Sequence, residues 1–237
     1  MKILSSFRLL GMMALTVAAM PGALLTVQSY STVNGQAHTF NYRDKTYNGA
    51  GNPAVSLSPL SGGTGLLTDG VTGGGQHFTA DLGNGVAFEW VGWAQSNSSD
   101  PVDAANTNPT IIFRFAGGAQ AINSISLFID NLGSVSGVGL FNTAEISFGS
   151  DGTNFGNTVT YNTTPAEQAD LNARFITIAL GQSAEYVKVH LVRSQNWVFL
   201  SEVQFDGGSG FTPTPEPSTL LLSAGALLAF GLSRRRA

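Results

Sequence analysis

The chain has 237 residues with 29 glycines, no cysteine, and a formal net charge of −4 from 11 Lys and Arg against 15 Asp and Glu. The missing cysteine excludes disulfide staples and thiol nucleophiles, so the core alone must hold the fold. Five of the 11 basic residues (Lys2, Arg8, Arg234, Arg235 and Arg236) sit at the two ends, so region 24–217 keeps six against all 15 acids, a balance near −9 that repels phosphate backbones and argues against nucleic acid as a partner.

In chain order, residues 1–23 come first. Lys2 and Arg8 precede an uncharged run and then small residues, the pattern of a secretory signal peptide. Cleavage fits after Ala19, or after Ala23 with Pro21 at the third position back. Signal peptidase and the general secretion machinery are thus expected partners. Residues 46–75 are rich in Gly, Pro and Ser and read as loop with short strand pieces. Eight strand-like segments then follow between Gln76 and Phe205: QHFTADL, VAFEWVGWA, TIIFRFA, INSISLFID, AEISFG, RFITIAL, EYVKVHLV and WVFLSEVQF. Several alternate with period two. Ile125, Leu127 and Ile129 oppose Ser124, Ser126 and Asp130; Val187, Val189 and Leu191 oppose Tyr186, Lys188 and His190. Gly117-Gly118, Asn131-Leu132-Gly133, Asp151-Gly152 and Leu180-Gly181 separate them as turns. No sustained helical period occurs outside the termini. The expected class is all-β, a two-sheet antiparallel sandwich over 24–206, with a long polar loop at 95–109 and a flexible-then-stiff linker at 207–217.

The chain closes with "TPTPEPSTLLLSAGALLAFGLSRRRA". A helix over 218–233 would span roughly 24 Å, a little short of the ~30 Å hydrocarbon core, with the arginines on the cytoplasmic side. Pro215-Glu216-Pro217, the apolar run and Arg234–Arg236, in that order, resemble the PEP-CTERM sorting signal of Gram-negative bacteria. The resemblance implies exosortase as a partner. It also implies a membrane-tethered intermediate held by a transmembrane sorting helix at 218–237, and final placement on the outer membrane, the cell surface or in the extracellular matrix.

A second resemblance lies in the centre. "LLTDGV", "WVGW", "ISFGSDGTNFG", "ARFITIAL" and "AEYVKVHLVRSQNWVFLSEVQFDG" are similar to the discoidin (coagulation-factor type C) domain, a galactose-binding-like jelly roll. Two departures are the absent disulfide of animal members and the 95–109 loop, which reads as an insertion. The likeness implies a structural calcium between the "TDG" turn and the last strand. The matching carboxylates are Asp69 and Glu202, with backbone carbonyls or a hydroxyl such as Thr72 completing the hard-oxygen shell. The alternative is an ordinary Asx turn at Asp69 and a solvent-facing Glu202. Asp151-Gly152-Thr153-Asn154 lacks the later ligands of an EF-hand loop, since Asn162 stands at the twelfth position, and reads as a hairpin turn.

Tryptophan faces pack well on sugars. Trp90 and Trp93 differ by an odd number of residues, so one is expected in the core and the other exposed; Trp93 and Trp197 are the candidate sugar contacts. Asn97, Asp100 and Asp103, with Asn106 and Asn108, offer the loop's donors and acceptors. His38, His77 and His190 show no metal-ligand spacing, and there is no G-x-S-x-G elbow, Walker loop or dinucleotide fingerprint. The expectation is a non-enzymatic exported surface protein that binds exopolysaccharide or another glycan. The alternatives are a structural biofilm protein without a specific ligand and a glycan-active hydrolase.

Overall fold

A computed structural model describes residues 22–36, 42–73, 89–94, 108–133 and 137–207. The expected signal peptide up to residue 21, the segment QHFTADL, most of the 95–109 loop, and the tail from 208 lie outside the described residues. The strands are β1 (Ala23–Leu24), β2 (Val27–Val33), β3 (Pro59–Gly63), β4 (Val91–Ala94), β5 (Thr110–Phe115), β6 (Gln120–Ile129), β7 (Phe141–Gly149), β8 (Phe155–Asn162), β9 (Arg174–Ala184), β10 (Tyr186–Arg193) and β11 (Trp197–Gly207). A 3-10 turn spans Leu66–Thr68 and one short helix, α1, spans Pro165–Ala169.

The strands form two antiparallel sheets. One runs β1-β11-β6-β9 with β4 also on β11; the other runs β3-β2-β5-β10-β7-β8. The alternation read from the sequence decides which side chains meet between them. Ile125, Leu127 and Ile129 of β6 are fully buried, as are Val187, Val189 and Leu191 of β10. Phe113 of β5 meets Phe205 of β11 across the layers at a 5.1 Å centroid distance, and Phe115 meets the same ring at 4.9 Å, both edge to face. Such pairs add about 0.5–1.5 kcal/mol each beyond the area they bury.

Several elements were not anticipated, among them β1, β2, β8 and α1. In β2 Tyr30 is the one fully buried apolar side chain, with Val27 packing only partly against the core, so serine and threonine dilute the period-two signal. Strand β8 is an edge strand whose residues are mostly exposed. It reaches the sheet through the Asp151 turn: the Asp151 carboxylate accepts N–H bonds from Thr153 (2.9 Å) and Asn154 (2.7 Å), which lower its pKa to about 2. Helix α1 is too short for a period but carries a capping box: Thr164 accepts from the Glu167 N–H and Glu167 returns a bond to the Thr164 N–H, with Pro165 opening the helix.

The topology sorts the connections to two ends. The turns 116–119, 150–154 and Glu185 gather at one end, where Ala23 pairs with Gly207 and Gly207 with Ile122, so the described chain enters and leaves there. The strand ends joined by the excursion 34–58 and by the connections 95–109 and 130–140, together with the connection 163–173 and the turn 194–196, lie at the opposite end, hereafter the loop end. Buried Asn34 ties the excursion down: its Oδ1 accepts from the Gly35 and Asp44 N–H groups (both 2.8 Å), and its Nδ2 donates to the Pro53 and Val55 carbonyls. Asp44, also fully buried, accepts from the Tyr30 hydroxyl and the Leu66 N–H and so clamps the 3-10 turn onto β2.

Candidate functional site

At the loop end the two expected aromatic contacts behave differently. Trp93 is completely buried in the inter-sheet core and its Nε1 donates to the Val33 carbonyl at 2.8 Å. It cannot stack on a sugar, which corrects the expectation. Trp90 does face the other side of the sheet, as the odd spacing requires, but is equally buried there. A second apolar cluster of Tyr42, Leu132, Val138 and Phe199 covers that face, and Phe128 stacks on the Trp90 indole at 5.6 Å. Trp197 is half-buried at the start of β11, stacked on Phe199 at 5.4 Å and edge-on to Tyr42 at 5.5 Å. Its position at a rim is the one an aromatic ligand contact needs.

Asn97, Asp100, Asp103 and Asn106 lie outside the described residues. Asn108 is described: its Oδ1 accepts the Arg193 N–H at 3.2 Å and so pins the loop's C-terminal foot to β10. The Arg193 guanidinium reaches the loop's other foot, donating to the Ala94 carbonyl at 3.0 Å, and burial lowers its pKa. Sequence reading missed Arg193; it sits at the end of an alternating strand, where a lone basic residue signals little.

Asp69 and Glu202 do come together. They line one cavity of about 270 Å³ with Thr68, Gly70 and apolar residues of 24–27. The Asp69 Oδ1 accepts the Val71 N–H at 2.9 Å, the Asx turn foreseen as an alternative. Glu202 does not face solvent: it is 3% exposed and its Oε2 accepts the Gly70 N–H at 3.2 Å. Burial, helped by the neighbouring Asp69 carboxylate, raises the Glu202 pKa to about 7, and burial raises that of Asp69 as well. In the same cavity wall the Thr68 hydroxyl is buried without a hydrogen-bond partner. Two carboxylates and an orphaned hydroxyl are a set of hard oxygens, the chemistry calcium takes. Thr68, not Thr72, is the hydroxyl at this cavity. Among the described residues no three His, Cys, Asp or Glu side chains cluster as metal ligands, so carbonyls would have to supply the rest of the shell.

The model of the discoidin domain-containing receptor 1/2, DS-like domain, matches residues 26–207, and the chain belongs to that family. The PEP-CTERM protein-sorting motif matches residues 213–236 and marks an exported, exosortase-processed surface or extracellular protein. Among curated proteins none matches. Similar solved structures include the family 32 carbohydrate-binding module of Clostridium perfringens NanJ in complex with galactose, at 15% identity over 49% of this chain and 93% of that one, TM-score 0.31. The lectin domain of lectinolysin complexed with Lewis B antigen is similar at 13% identity over 52% and 74%, TM-score 0.36. The CBM32 of AlyQ in complex with 4,5-unsaturated mannuronic acid is similar at 16% identity over 49% and 75%, TM-score 0.33.

Proposed function

We propose that this protein is a sorted cell-surface or matrix protein whose jelly-roll sandwich binds exopolysaccharide or another glycan at its loop end, without catalysis. One observation supports the reading: the described chain enters and leaves at one end, while the strand ends that carry its long connections lie at the other. A tail that carries the sorting motif at 213–236 and follows Gly207 at the entry end therefore leaves the loop end free to meet a ligand. Loops converging on a rigid scaffold are where side chains from several strands can be combined into a site. Trp197 supplies the aromatic surface, and Asn97, Asp100 and Asp103 of the loop supply donors and acceptors.

In this reading Asp69 and Glu202, with the Thr68 hydroxyl, hold a calcium ion. Bound there, the ion would supply the positive charge that lets Glu202 ionise in its buried position and would link it to Asp69 at the end of the 3-10 turn.

Two experiments test the proposal. Shortening residues 95–107 to a Gly-Ser bridge keeps Asn108 and its bond to Arg193, so the melting temperature should hold, because surface-loop length costs little. Retention in a polysaccharide affinity gel should drop. Unchanged retention at an unchanged melting temperature overturns the loop-end site. For sorting, mass spectrometry of the mature protein from its host should find no peptide containing Arg234–Arg236; an intact C-terminus in the outer membrane or medium overturns processing.

A further inference from the structure

The end opposite the long loops carries a cavity of its own. It is an open depression of about 340 Å³ where β7 and β8 of one sheet adjoin the end of β9 in the other, lined by buried Phe148, by exposed Ser150, Asn157 and Ser183, and by Gln182 and Glu185, among others. It has a local cause in each sheet. Where β8 pairs with β7 the register slips between Ser147 and Phe148, and Asn157 stands in the left-handed region at φ 31°. Where β9 pairs with β6 the register slips between Ile122 and Ser124, and Gly181 stands at φ 60°. A bulge bends its strand and re-aims the neighbouring side chains. Asparagine is among the few side chains that tolerate positive φ. Both edge strands are therefore irregular beside this depression.

The lining has two kinds of surface. Phe148 and Ala184 are buried and form an apolar floor. Around it the side chains of Ser150, Asn157, Gln182 and Ser183 make no hydrogen bond to the described residues, which leaves hydroxyl and amide groups able to both donate and accept. The one charged group of the lining, Glu185, is held by the Arg114 guanidinium at 3.0 Å. Among the described residues that line the space there is no Lys, Arg or His to recruit a phosphate or carboxylate. A floor of carbon beneath a ring of neutral two-way hydrogen-bonding groups matches a sugar ring, and the volume lies at the low end of ligand pockets, enough for one ring.

We propose that this cavity is a second saccharide site, taking a single neutral hexose or N-acetylhexosamine unit, on the end from which the tail leaves. It is independent of the loop-end reading and would place a glycan between the domain and its anchor. The test is ligand-observed NMR on the processed, exported protein with glucose, galactose, mannose and N-acetylglucosamine as probes. The variants are Gln182→Ala, Ser183→Trp and Trp197→Ala. At least one probe should bind, Gln182→Ala should weaken it about tenfold, and Ser183→Trp, which fills the space, should abolish it. Trp197→Ala should leave this signal in place. Melting curves exclude unfolding, and Ser183→Trp serves if Gln182→Ala proves unstable. Binding by none of the four sugars, or binding untouched by both cavity variants, overturns the proposal; a signal lost only in Trp197→Ala assigns it to the loop end.

Discussion

Replacing Trp93 by alanine should lower the melting temperature by roughly 6–20 °C, while Trp197→Ala should shift it by far less. Trp93 is fully buried between the sheets, and truncating a buried tryptophan costs about 3–5 kcal/mol. The change also strips the Val33 carbonyl of its indole N–H partner. In a domain of this size each kcal/mol moves the midpoint by about 2–4 °C, which gives the range above. Trp197 packs on only one side, against Phe199 and Tyr42, so its loss leaves a rim notch in place of a cavity. Thermal melts of the two variants decide the matter. Equal, small shifts would mean that Trp93 is not the core residue its burial makes it. The reverse order would reopen Trp93 as a ligand contact.

The second large effect is a dependence on pH in protein stripped of divalent ions. The Glu202 pKa lies at about 7 in the folded chain against an ordinary value of 4.5. A carboxyl raised on folding binds more protons folded than unfolded across that interval, so stability is full below about 4.5 and falls as pH rises through about 7. The interval corresponds to at most about 3 kcal/mol, or roughly 6–12 °C. Asp69 and Asp44 are raised as well and act with the same sign. Asp151 and Glu167 are lowered; their contributions are lost only as pH falls below the usual carboxylate range, outside this interval. Melts in chelator between pH 5 and 8 should therefore slope downward, and Glu202→Gln should flatten much of the slope. Excess calcium should raise the midpoint most at the alkaline side, because the ion binds the ionised carboxylates and stabilises only the folded state. A flat profile in chelator would refute the raised Glu202 pKa. A sloping profile that calcium leaves unmoved would refute the ion alone.

How far these results could be read in advance varies with the range of the interaction. The segments INSISLFID and EYVKVHLV state their own inward faces, because the side-chain period of a strand is local and half-burial selects alternate positions. The Asp151-Gly152 turn is equally local: its carboxylate satisfies N–H groups two and three residues on. The capping box at Thr164 and Glu167 is local as well, but a helix of a single turn has no period to mark it in the sequence. Strand β8, with its polar exposed face, is a strand only because β7 offers it a ladder.

The amino-acid sequence by itself determined the all-β class, the Gly117-Gly118 and Asp151-Gly152 turns, the inward faces of the central strands and the sorting tail, each of which rests on neighbours within a few residues. Leu180-Gly181, read as a turn, instead lies inside β9, where Gly181 marks a register slip and the strand turns only at Glu185. Only the tertiary structure decided what those faces meet. Parity put Trp90 and Trp93 on opposite sides of a strand, but Tyr42, Leu132 and Val138, distant in the chain, close over the outer side and bury both. Likewise Asp69 and Glu202, 133 positions apart, share a wall only because the 3-10 turn folds onto β11, and the loss of water there raises both pKa values. Solvent exclusion depends on all the segments that surround a group, and those are brought together by contacts that no local pattern records.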